Sequence, residues 1–236
     1  MIALLVPRGV TAGRREQLDE EESHHLRVRR AQPGERVALR DGAGLAGAGR
    51  LVLEGRAWQV EVDVVERQPR PAALTLAIGA GDRDRFAWLV EKAAELGATA
   101  VVPLETERTG SVATRVRAAH LAKLRRQALE AIKQCGATWA VEVEPPMALE
   151  DFAGRLDAGL RWLADAAGEA PPATLDGAPV TVVVGPEGGL TDTELALLLA
   201  AGYRAVGLAP HTLRFETAAL AAAAAVTTAR LRGIHG

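Results

Sequence analysis

The chain has 236 residues, of which 48% are hydrophobic and 25% charged, and its formal net charge at pH 7 is −2. This length suits one large domain or a small domain joined to a medium one, with ample apolar content for a core. The charge gives no sign of the strongly basic surface common among nucleic-acid binders, although a local basic stripe would suffice for RNA. The single cysteine, Cys135, excludes an internal disulfide and a cysteine-rich metal site.

No segment has the character of a targeting or membrane sequence. The N-terminal apolar stretch ends at Pro7-Arg8 and is too short for a signal peptide. The alanine-rich C-terminal stretch is interrupted by Thr227, Thr228 and Arg230, so it does not reach membrane-spanning length. We therefore expect a cytoplasmic protein without a membrane partner.

Residues 1–68 are predicted to form a small β-rich domain. Alternating apolar and polar residues predict strands over 35–40, 50–54 and 58–65, with a turn at Asp41-Gly42. A helical turn capped near Ser23 is predicted before them. The arginines that follow, at positions 27, 29 and 30, suit phosphate recognition because a guanidinium binds two oxygens at once. A solvated mixed-charge surface explains them equally well.

Two patterns in this domain resemble ligand sites, but we interpret neither as one. Residues 42–47 match GxGxxG literally, yet more strand is predicted to follow instead of the helix that phosphate binding needs. We therefore predict a flexible hairpin loop over 42–47. His24 and His25 are adjacent, so their rings diverge on a helix, and no third ligand is evident nearby; we predict no metal site.

Alternating prolines at 69 and 71 mark a linker, and residues 72–236 are predicted to form a second domain. Strands are predicted over 74–78, 100–104, 160–165, 180–184 and 205–208. Helices are predicted over 86–97 and 115–134, after Thr191, and from about 213 onward, with a loop over 166–178. Strands that alternate with helices indicate a parallel sheet, whose carboxyl edge is where ligands bind.

Two segments of this domain are typical of a ligand pocket. GPEGGLTDTE, residues 185–194, follows a buried-type strand, and its paired glycines permit positive φ or close approach to a ligand. Within it, Thr191 and Glu194 have the spacing of a helix capping box. LRFETA, residues 213–218, opens the alanine-rich last helix. Either segment alone would be explained by an ordinary strand-to-helix turn.

In this order and spacing, GPEGGLTDTE and LRFETA resemble the two C-terminal signatures of the SPOUT methyltransferases, specifically the RsmE family of 16S ribosomal RNA uridine-N3 methyltransferases. GDRDRFAWLVEKAAELGA is similar to a helix of that family, and HHLRVRRAQPGERVALRDG resembles the opening of its PUA-like RNA-binding domain. The resemblance implies an α/β SPOUT domain with a deep trefoil knot, preceded by the small β-rich PUA-like domain. Threaded chains are very rare, so the knot rests on the resemblance alone.

The resemblance also implies a cofactor, S-adenosylmethionine, and a substrate, 16S ribosomal RNA or the small ribosomal subunit. It implies a homodimer, and the small side chains from Ala218 to Ala225 would let another helix pack closely against the last one. RNA contacts are expected from the arginines Arg27, Arg29, Arg30 and Arg108. Cofactor contacts are expected from Leu163, Gly185, Pro186, Glu187, Gly188, Gly189, Leu208, Leu213, Thr217 and Ala218.

Methylation of uracil N3 makes one chemical demand beyond alignment. N3 carries a proton at neutral pH and becomes a good nucleophile as that proton leaves, with charge spreading onto O2 and O4. Arg214, in the loop before the last helix, is the candidate to stabilise this charge. Glu216 is the candidate proton acceptor. An acid in the first turn of a helix also stabilises the helix dipole, so Glu216 has a structural interpretation too.

Three residues depart from the family pattern, and other functions stay open. Lys133 replaces an acidic residue, Thr138 lies near an expected arginine, and Phe215 replaces a threonine; the first two bear on substrate contacts more than on cofactor binding.

The alternatives to this function are a SPOUT ribose 2′-O-methyltransferase acting on ribosomal or transfer RNA and a non-catalytic RNA-binding ribosome-assembly protein. A nucleotide-dependent α/β enzyme is a further alternative, but the phosphate-loop motif GxxxxGK(S/T) is missing.

Overall fold

The computed structural model of the chain describes residues 1–79, 81–109, 113–155 and 158–235. They form two compact units, one of Met1–Arg70 with Leu129–Ala140 and the other of Pro71–Ala128 with Val141–Gly236. The sequence indicates a division near residue 70 but gives no sign that residues 129–140 belong with the first unit. No helix within the described ranges is long and apolar enough to cross a membrane.

The first unit contains a five-stranded sheet in the order β1-β3-β4-β5-β2. Its strands are β1 (Ile2–Leu5), β2 (Arg15–Gln17), β3 (Arg36–Arg40), β4 (Leu45–Glu54) and β5 (Ala57–Arg67). β1 is parallel to β3 and the other neighbours are antiparallel. The predicted strands of β3, β4 and β5 are confirmed. β1 and β2 were not predicted, because a four-residue apolar run and a three-residue polar run are too short to show a period.

The glycine-rich segment of this unit belongs largely to the sheet. β4 begins at Leu45, and Gly47 pairs with Leu39 of β3, so the flexible loop predicted over 42–47 is wrong from residue 45 onward. The reason is close packing of the strand backbones: a Cβ at Gly49 would lie 2.4 Å from the carbonyl oxygen of Glu61. Glycines here permit strand pairing.

Helix α1 (Glu20–Val28) starts earlier than the sequence analysis indicates. Asp19, not Ser23, is its N-cap, and the Asp19 carboxylate accepts a hydrogen bond from the backbone N–H of Glu22 at 2.8 Å. Acidic residues fill the first turn, where they interact favourably with the helix dipole. The acidic run before Ser23 is therefore part of the helix.

Lys133 lies in the first unit, near the end of helix α3 (Leu121–Cys135). Its Nζ is 2.7 Å from Glu22 Oε1 and 2.6 Å from Glu130 Oε2. Glu22 is only 1% exposed. Burial raises the pKa of Glu22, although the hydrogen bond from Lys133 works in the opposite direction. The departure from the family pattern at Lys133 therefore creates a buried ion pair within this unit.

The second unit is built on a parallel sheet in the order β12-β10-β11-β6-β7-β8, with β9 also paired to β7. The strands are β6 (Leu74–Gly79), β7 (Ala100–Glu105), β8 (Glu142–Val143), β9 (Met147–Ala148), β10 (Leu160–Glu169), β11 (Val180–Val184) and β12 (Arg204–Val206). The expected α/β class is confirmed. The loop predicted over 166–178 is wrong at its start, because β10 continues beside β12 with an irregular register as far as Glu169.

Helices α2 (Arg83–Glu95), α4 (Leu149–Ala153), α5 (Asp192–Ala200) and α6 (Phe215–His235) complete this unit with the first part of α3. α6 packs against α2 and against β6 and β11. Ala219, Ala222 and Ala223 of α6 are fully buried, so the small side chains that the sequence analysis associates with close helix packing are used within this chain. A glycine expected at the end of α2, Gly97, has φ +79° and follows the C-cap, as predicted.

Candidate functional site

Strand β10 and the loops that follow β11 and β12 surround a cavity of about 320 Å³ at the carboxyl edge of the second unit's sheet, here called the first cavity. The strand order reverses between β11 and β6, so the turn after β11 lies at the position where open parallel sheets bind ligands. The volume lies in the range of small-molecule sites. The cavity is lined by Leu163, Ala164, Asp165, Ala166, Val184, Gly185, Pro186, Gly189, Leu190, Leu195, Leu208, Ala209, His211, Thr212, Leu213, Phe215 and Ala218.

The GPEGG turn forms one wall of the first cavity. Val180–Val184 is buried throughout, so β11 is fixed in the sheet interior and its end positions the turn. The backbone N–H of Gly189 donates to the carbonyl oxygen of Pro186 at 2.8 Å, and Gly189 has φ +74°. A side chain at that φ would be strained. The turn thus presents backbone groups to the cavity and leaves room for a ligand.

The capping box after this turn is confirmed and has a second function. The Glu194 carboxylate accepts from the N–H of Thr191 at 2.8 Å and from the N–H of Glu107 at 2.9 Å. Glu194 is 2% exposed. One buried carboxylate therefore starts α5 and also holds the loop after β7, which carries Arg108.

Most of the residues expected to bind the cofactor line the first cavity. These are Leu163, Gly185, Pro186, Gly189, Leu208, Leu213 and Ala218. Glu187 and Gly188 instead line a neighbouring cavity. Thr217 is exposed and lies outside the described lining of both cavities. Phe215, a departure from the family pattern, is buried and lines the first cavity.

Polar residues that the sequence analysis missed also line the first cavity. Asp165 accepts from the N–H of Ala167 at 2.8 Å, at the point where β10 passes β12. His211 and Thr212 lie in the loop before α6. For His211 and Thr212, the one indication in the sequence of a place in the cavity was their position directly before LRFETA. Asp165 gave none, because its role depends on where β10 lies in the sheet.

A second cavity, of about 400 Å³, adjoins the first, and Pro186 lines both. It is lined by Gly81, Asp82, Arg85, Arg108, Thr109, Thr114, Pro186, Glu187 and Gly188. Arg108, predicted to contact RNA, donates from Nη1 to the carbonyl oxygen of Gly188. Its loop is further braced by the buried Thr109, whose hydroxyl accepts from the N–H of Thr106 at 2.8 Å. The second cavity is therefore an arginine-bearing recess against the GPEGG turn.

The two candidate catalytic residues lie at the start of α6 in different environments. Arg214 is exposed and belongs to the described lining of neither cavity. Glu216 is 9% exposed, and its Oε1 lies 3.4 Å from Nη1 of Arg85. The other Glu216 carboxylate oxygen is buried without a hydrogen-bond partner among the described residues. Arg85, which the sequence analysis did not single out, thus connects Glu216 to the second cavity.

Arg27, Arg29 and Arg30 lie at the C-terminal end of α1 in the first unit, and all three are exposed. Arg30 has φ +54°, the only positive value at a non-glycine position among the described residues. A helix usually places glycine or asparagine in this conformation. This conformation is sterically unfavourable for a residue with a side chain, and the residue that adopts it here has an exposed guanidinium group.

No group of three or more His, Cys, Asp or Glu side chains that could hold a metal ion occurs in the part of the chain that the structure describes. His25, the second member of the adjacent histidine pair, is partly buried, and burial lowers its pKa. Nearby Lys133 and Arg29 lower it further. These surroundings favour a neutral imidazole in α1.

Comparisons with known proteins agree with this geometry. A family model described as "RNA methyltransferase domain" matches residues 68–227, and one described as "RNA methyltransferase PUA domain" matches residues 18–62. The ribosomal RNA small subunit methyltransferase E of Synechocystis sp. is 33% identical over 86% of this chain and 69% of that protein. The protein of the same name from Aquifex aeolicus is 28% identical over 85% of this chain and 89% of its own.

Solved structures give the same result. The crystal structure of a ribosomal RNA small subunit methyltransferase E from Neisseria gonorrhoeae, bound to S-adenosylmethionine, has a TM-score of 0.84 at 30% identity, covering 95% of this chain and 96% of that one. A methyltransferase of Legionella pneumophila with bound S-adenosylmethionine has a TM-score of 0.81 at 26% identity, covering 94% and 95%. The chain therefore belongs to the ribosomal RNA small subunit methyltransferase E (RsmE) family of RNA methyltransferases.

Proposed function

We propose that this protein transfers the methyl group of S-adenosylmethionine to N3 of a uridine in 16S ribosomal RNA of the small ribosomal subunit. One observation carries the proposal: the GPEGG turn and the loop that ends in LRFETA, far apart in sequence, line a single cavity at the carboxyl edge of a parallel sheet. The names of the family relatives support the RNA substrate. The two neighbours crystallised with S-adenosylmethionine support the cofactor.

The first cavity has the chemistry that this cofactor requires. Leucines from β10, α5 and the loops after β12 give an apolar slot for adenine: Leu163, Leu195, Leu208 and Leu213. Backbone groups of the glycine turn supply donors and acceptors without bulk, and the Asp165 carboxylate could pair with the ammonium group. When bound, the cofactor supplies an electrophilic methyl group on a positively charged sulfur. These residues would hold that group and exclude water.

The protein's own catalytic task is to manage the N3 proton and the charge it leaves. The N3–H bond breaks, and a bond from N3 to the methyl carbon forms as the bond from that carbon to sulfur breaks, which leaves the demethylated cofactor. The proton therefore needs an acceptor and the uracil oxygens need a donor. Arg214 stays the predicted donor and Glu216 the predicted acceptor. The partnerless carboxylate oxygen of Glu216 supports an acceptor role, and its ion pair with Arg85 supports a structural one.

Three further features are part of the proposal: a deep trefoil knot, a homodimer and a cytoplasmic location. The convergence of β10 and the loops after β11 and β12 on the first cavity supports the knot. Apolar side chains exposed on two helices that pack together, Trp88 of α2 with Leu231 and Ile234 of α6, support a dimer. Light scattering at micromolar concentration tests the dimer, and a monomer would contradict it.

Mass mapping of 16S ribosomal RNA from a strain that lacks the protein tests the function. We expect one uridine to lose a base methyl group and to regain it when the gene is restored. N3 methylation blocks Watson–Crick pairing and arrests reverse transcriptase, whereas a ribose methyl group leaves pairing intact. The alternative result is a site whose phosphodiester linkage resists alkaline cleavage and which reverse transcriptase reads through in RNA from the unmodified strain. That result would mean ribose methylation instead.

Calorimetry tests the cofactor separately. We expect the purified protein to bind S-adenosylmethionine and its demethylated product in the presence of a chelator, because the cavity residues supply the contacts without a metal ion. The absence of binding heat at millimolar cofactor would contradict the assignment of the first cavity.

A further inference from the structure

The second cavity adjoins the first and is of similar size, and Glu187 and Gly188, two of the residues expected to contact the cofactor, line it. Two arginines from different elements line it, Arg85 of α2 and Arg108 of the loop after β7. Pro186 separates it from the first cavity and lines both. A group bound in the second cavity would therefore lie next to the site of methyl transfer.

Both guanidinium groups have contacts within the second unit. Arg85 Nη1 is 3.4 Å from Glu216 Oε1 and its Nε is 3.7 Å from Asp82 Oδ2. Arg108 donates from Nη1 to the carbonyl oxygen of Gly188. A guanidinium has five N–H donors, so each arginine keeps donors for a ligand. Arginines held in place by other groups bind anions with a smaller loss of side-chain freedom.

The acidic residues of the second cavity are already engaged. Asp82 is the N-cap of α2 and accepts from the N–H groups of Asp84 and Arg85 at 2.9 and 3.1 Å. Glu187 accepts from the N–H of Gly81 at 3.4 Å. The N-terminal end of α2 adds a partial positive charge at the same place. Two arginines, two carboxylates and the N-terminal end of α2 therefore meet at this cavity, and the N–H donors come from the arginines and the helix end.

The lining also distinguishes a phosphate from a base. RNA bases that are splayed out of a strand stack on aromatic side chains, and no described residue that lines the second cavity is aromatic. Phosphates are bound by arginines, hydroxyl groups and backbone N–H groups, and two arginines line this cavity. The Thr114 hydroxyl also lines it but donates to the carbonyl oxygen of Gly81 at 2.6 Å.

We propose that the second cavity binds a phosphodiester of the RNA strand beside the methylated nucleotide, with Arg85 and Arg108 as ligands and Glu216 as the positioning residue of Arg85. This inference rests on the proposed function, because it takes an RNA strand as substrate. It gives Glu216 a role that does not require proton transfer.

Fluorescence anisotropy with labelled oligouridylate, in the presence of the demethylated cofactor and over a series of KCl concentrations, tests the proposal. Arg85→Gln should weaken binding and reduce the slope of log Kd against log salt by about 0.7, the value for one phosphate contact to a single strand. The matched control is Arg83→Gln, since Arg83 is an exposed neighbour on the same helix that lies in the described lining of neither cavity. That variant should bind as the unmodified protein does.

Glu216→Gln separates positioning from proton transfer. If Glu216 holds Arg85, this variant should lose part of the same salt slope while its affinity for S-adenosylmethionine stays unchanged. A residue that only accepts a proton would lower turnover and leave RNA affinity intact. Normal RNA affinity in Glu216→Gln would therefore overturn the positioning role.

Three results would overturn the subsite. One is equal salt slopes for the unmodified protein and Arg85→Gln, and another is the absence of any oligouridylate binding at low salt. The third is equal affinity for a methylphosphonate analogue without backbone charge, which would mean that the cavity binds a base. These outcomes are independent of the methylated atom: a ribose product in mass mapping would refute the proposed function and leave the slope difference intact.

Discussion

Arg214 immediately precedes α6, between Leu213 and Phe215, which both line the first cavity. Its own side chain is exposed. A loop residue in this position can turn toward a bound substrate without disturbing the core. Its contribution to catalysis is therefore measurable apart from stability.

Arg214→Ala should lower turnover by about 10²–10³-fold, the effect of losing one donor that stabilises transition-state charge. Affinity for the cofactor should change little, because the cavity lining stays intact. Single-turnover methylation with calorimetry measures both. Arg232→Ala, an exposed arginine further along α6, is the control and should behave normally. Unchanged turnover in Arg214→Ala would remove Arg214 from the mechanism.

Lys133→Met should destabilise the protein by about 3–5 kcal/mol at neutral pH, because it leaves the Glu22 carboxylate buried without its cation. The folded-state pKa of Glu22 is already above its ordinary value of 4.5, mainly through burial, and the variant loses the lowering effect of Lys133. A raised carboxyl pKa means that the folded state holds the proton more tightly than the unfolded state. Stability then falls as pH rises from 4.5 through the folded-state pKa.

Denaturant unfolding over a pH series measures this effect. The variant should recover part of its lost stability as pH falls and Glu22 takes up a proton. Glu22→Gln combined with Lys133→Met should be more stable at neutral pH than Lys133→Met alone, since no buried charge remains. A double variant as unstable as the single one would show that packing, not charge, causes the loss.

At the scale of elements, Glu194 joins helix α5 to the loop after β7 through hydrogen bonds to Thr191 and Glu107. Glu194→Ala should cost about 2–4 kcal/mol, since it removes a cap and leaves two N–H groups without their acceptor. It should also weaken RNA binding, because the same loop carries Arg108.

Urea titration followed by tryptophan fluorescence measures the change in stability. Asp192→Ala is the matched control, because Asp192 is an exposed acid in the first turn of the same helix and contributes only through the dipole, about 0.3–1 kcal/mol. Equal losses in the two variants would refute the bridging role of Glu194.

At the scale of the whole molecule, cofactor binding is assigned to the second unit, whereas RNA contacts are assigned to both units, with the arginines at the end of α1 in the first. Changing Arg27, Arg29 and Arg30 together to glutamine should weaken RNA binding and reduce the salt slope by about 0.7 for each phosphate that the variant no longer binds. Cofactor affinity should be unaltered. A matched triple variant at the exposed arginines Arg8, Arg14 and Arg56 of the same unit changes the charge equally. Equal effects of both triples would mean that overall charge, not the end of α1, attracts RNA.

Several local structures of this protein were predictable from the amino-acid sequence. The strand over 180–184, the cap of α5 and the glycine after α2 were predictable, because each depends on residues within one turn or one strand of each other. The family motifs in the GPEGG and LRFETA segments also identified part of the first cavity's lining in advance.

Which distant side chains meet depends on the tertiary fold and could not be read from the sequence. Arg85 and Glu216 are 131 positions apart, and Lys133 and Glu22 are 111 apart. No local period links such residues, because sheet order and the packing of α6 against α2 bring the first pair together. The second cavity and the role of Asp165 were hidden for the same reason. Helical and strand patterns report which face of an element is buried, but not which partner covers it.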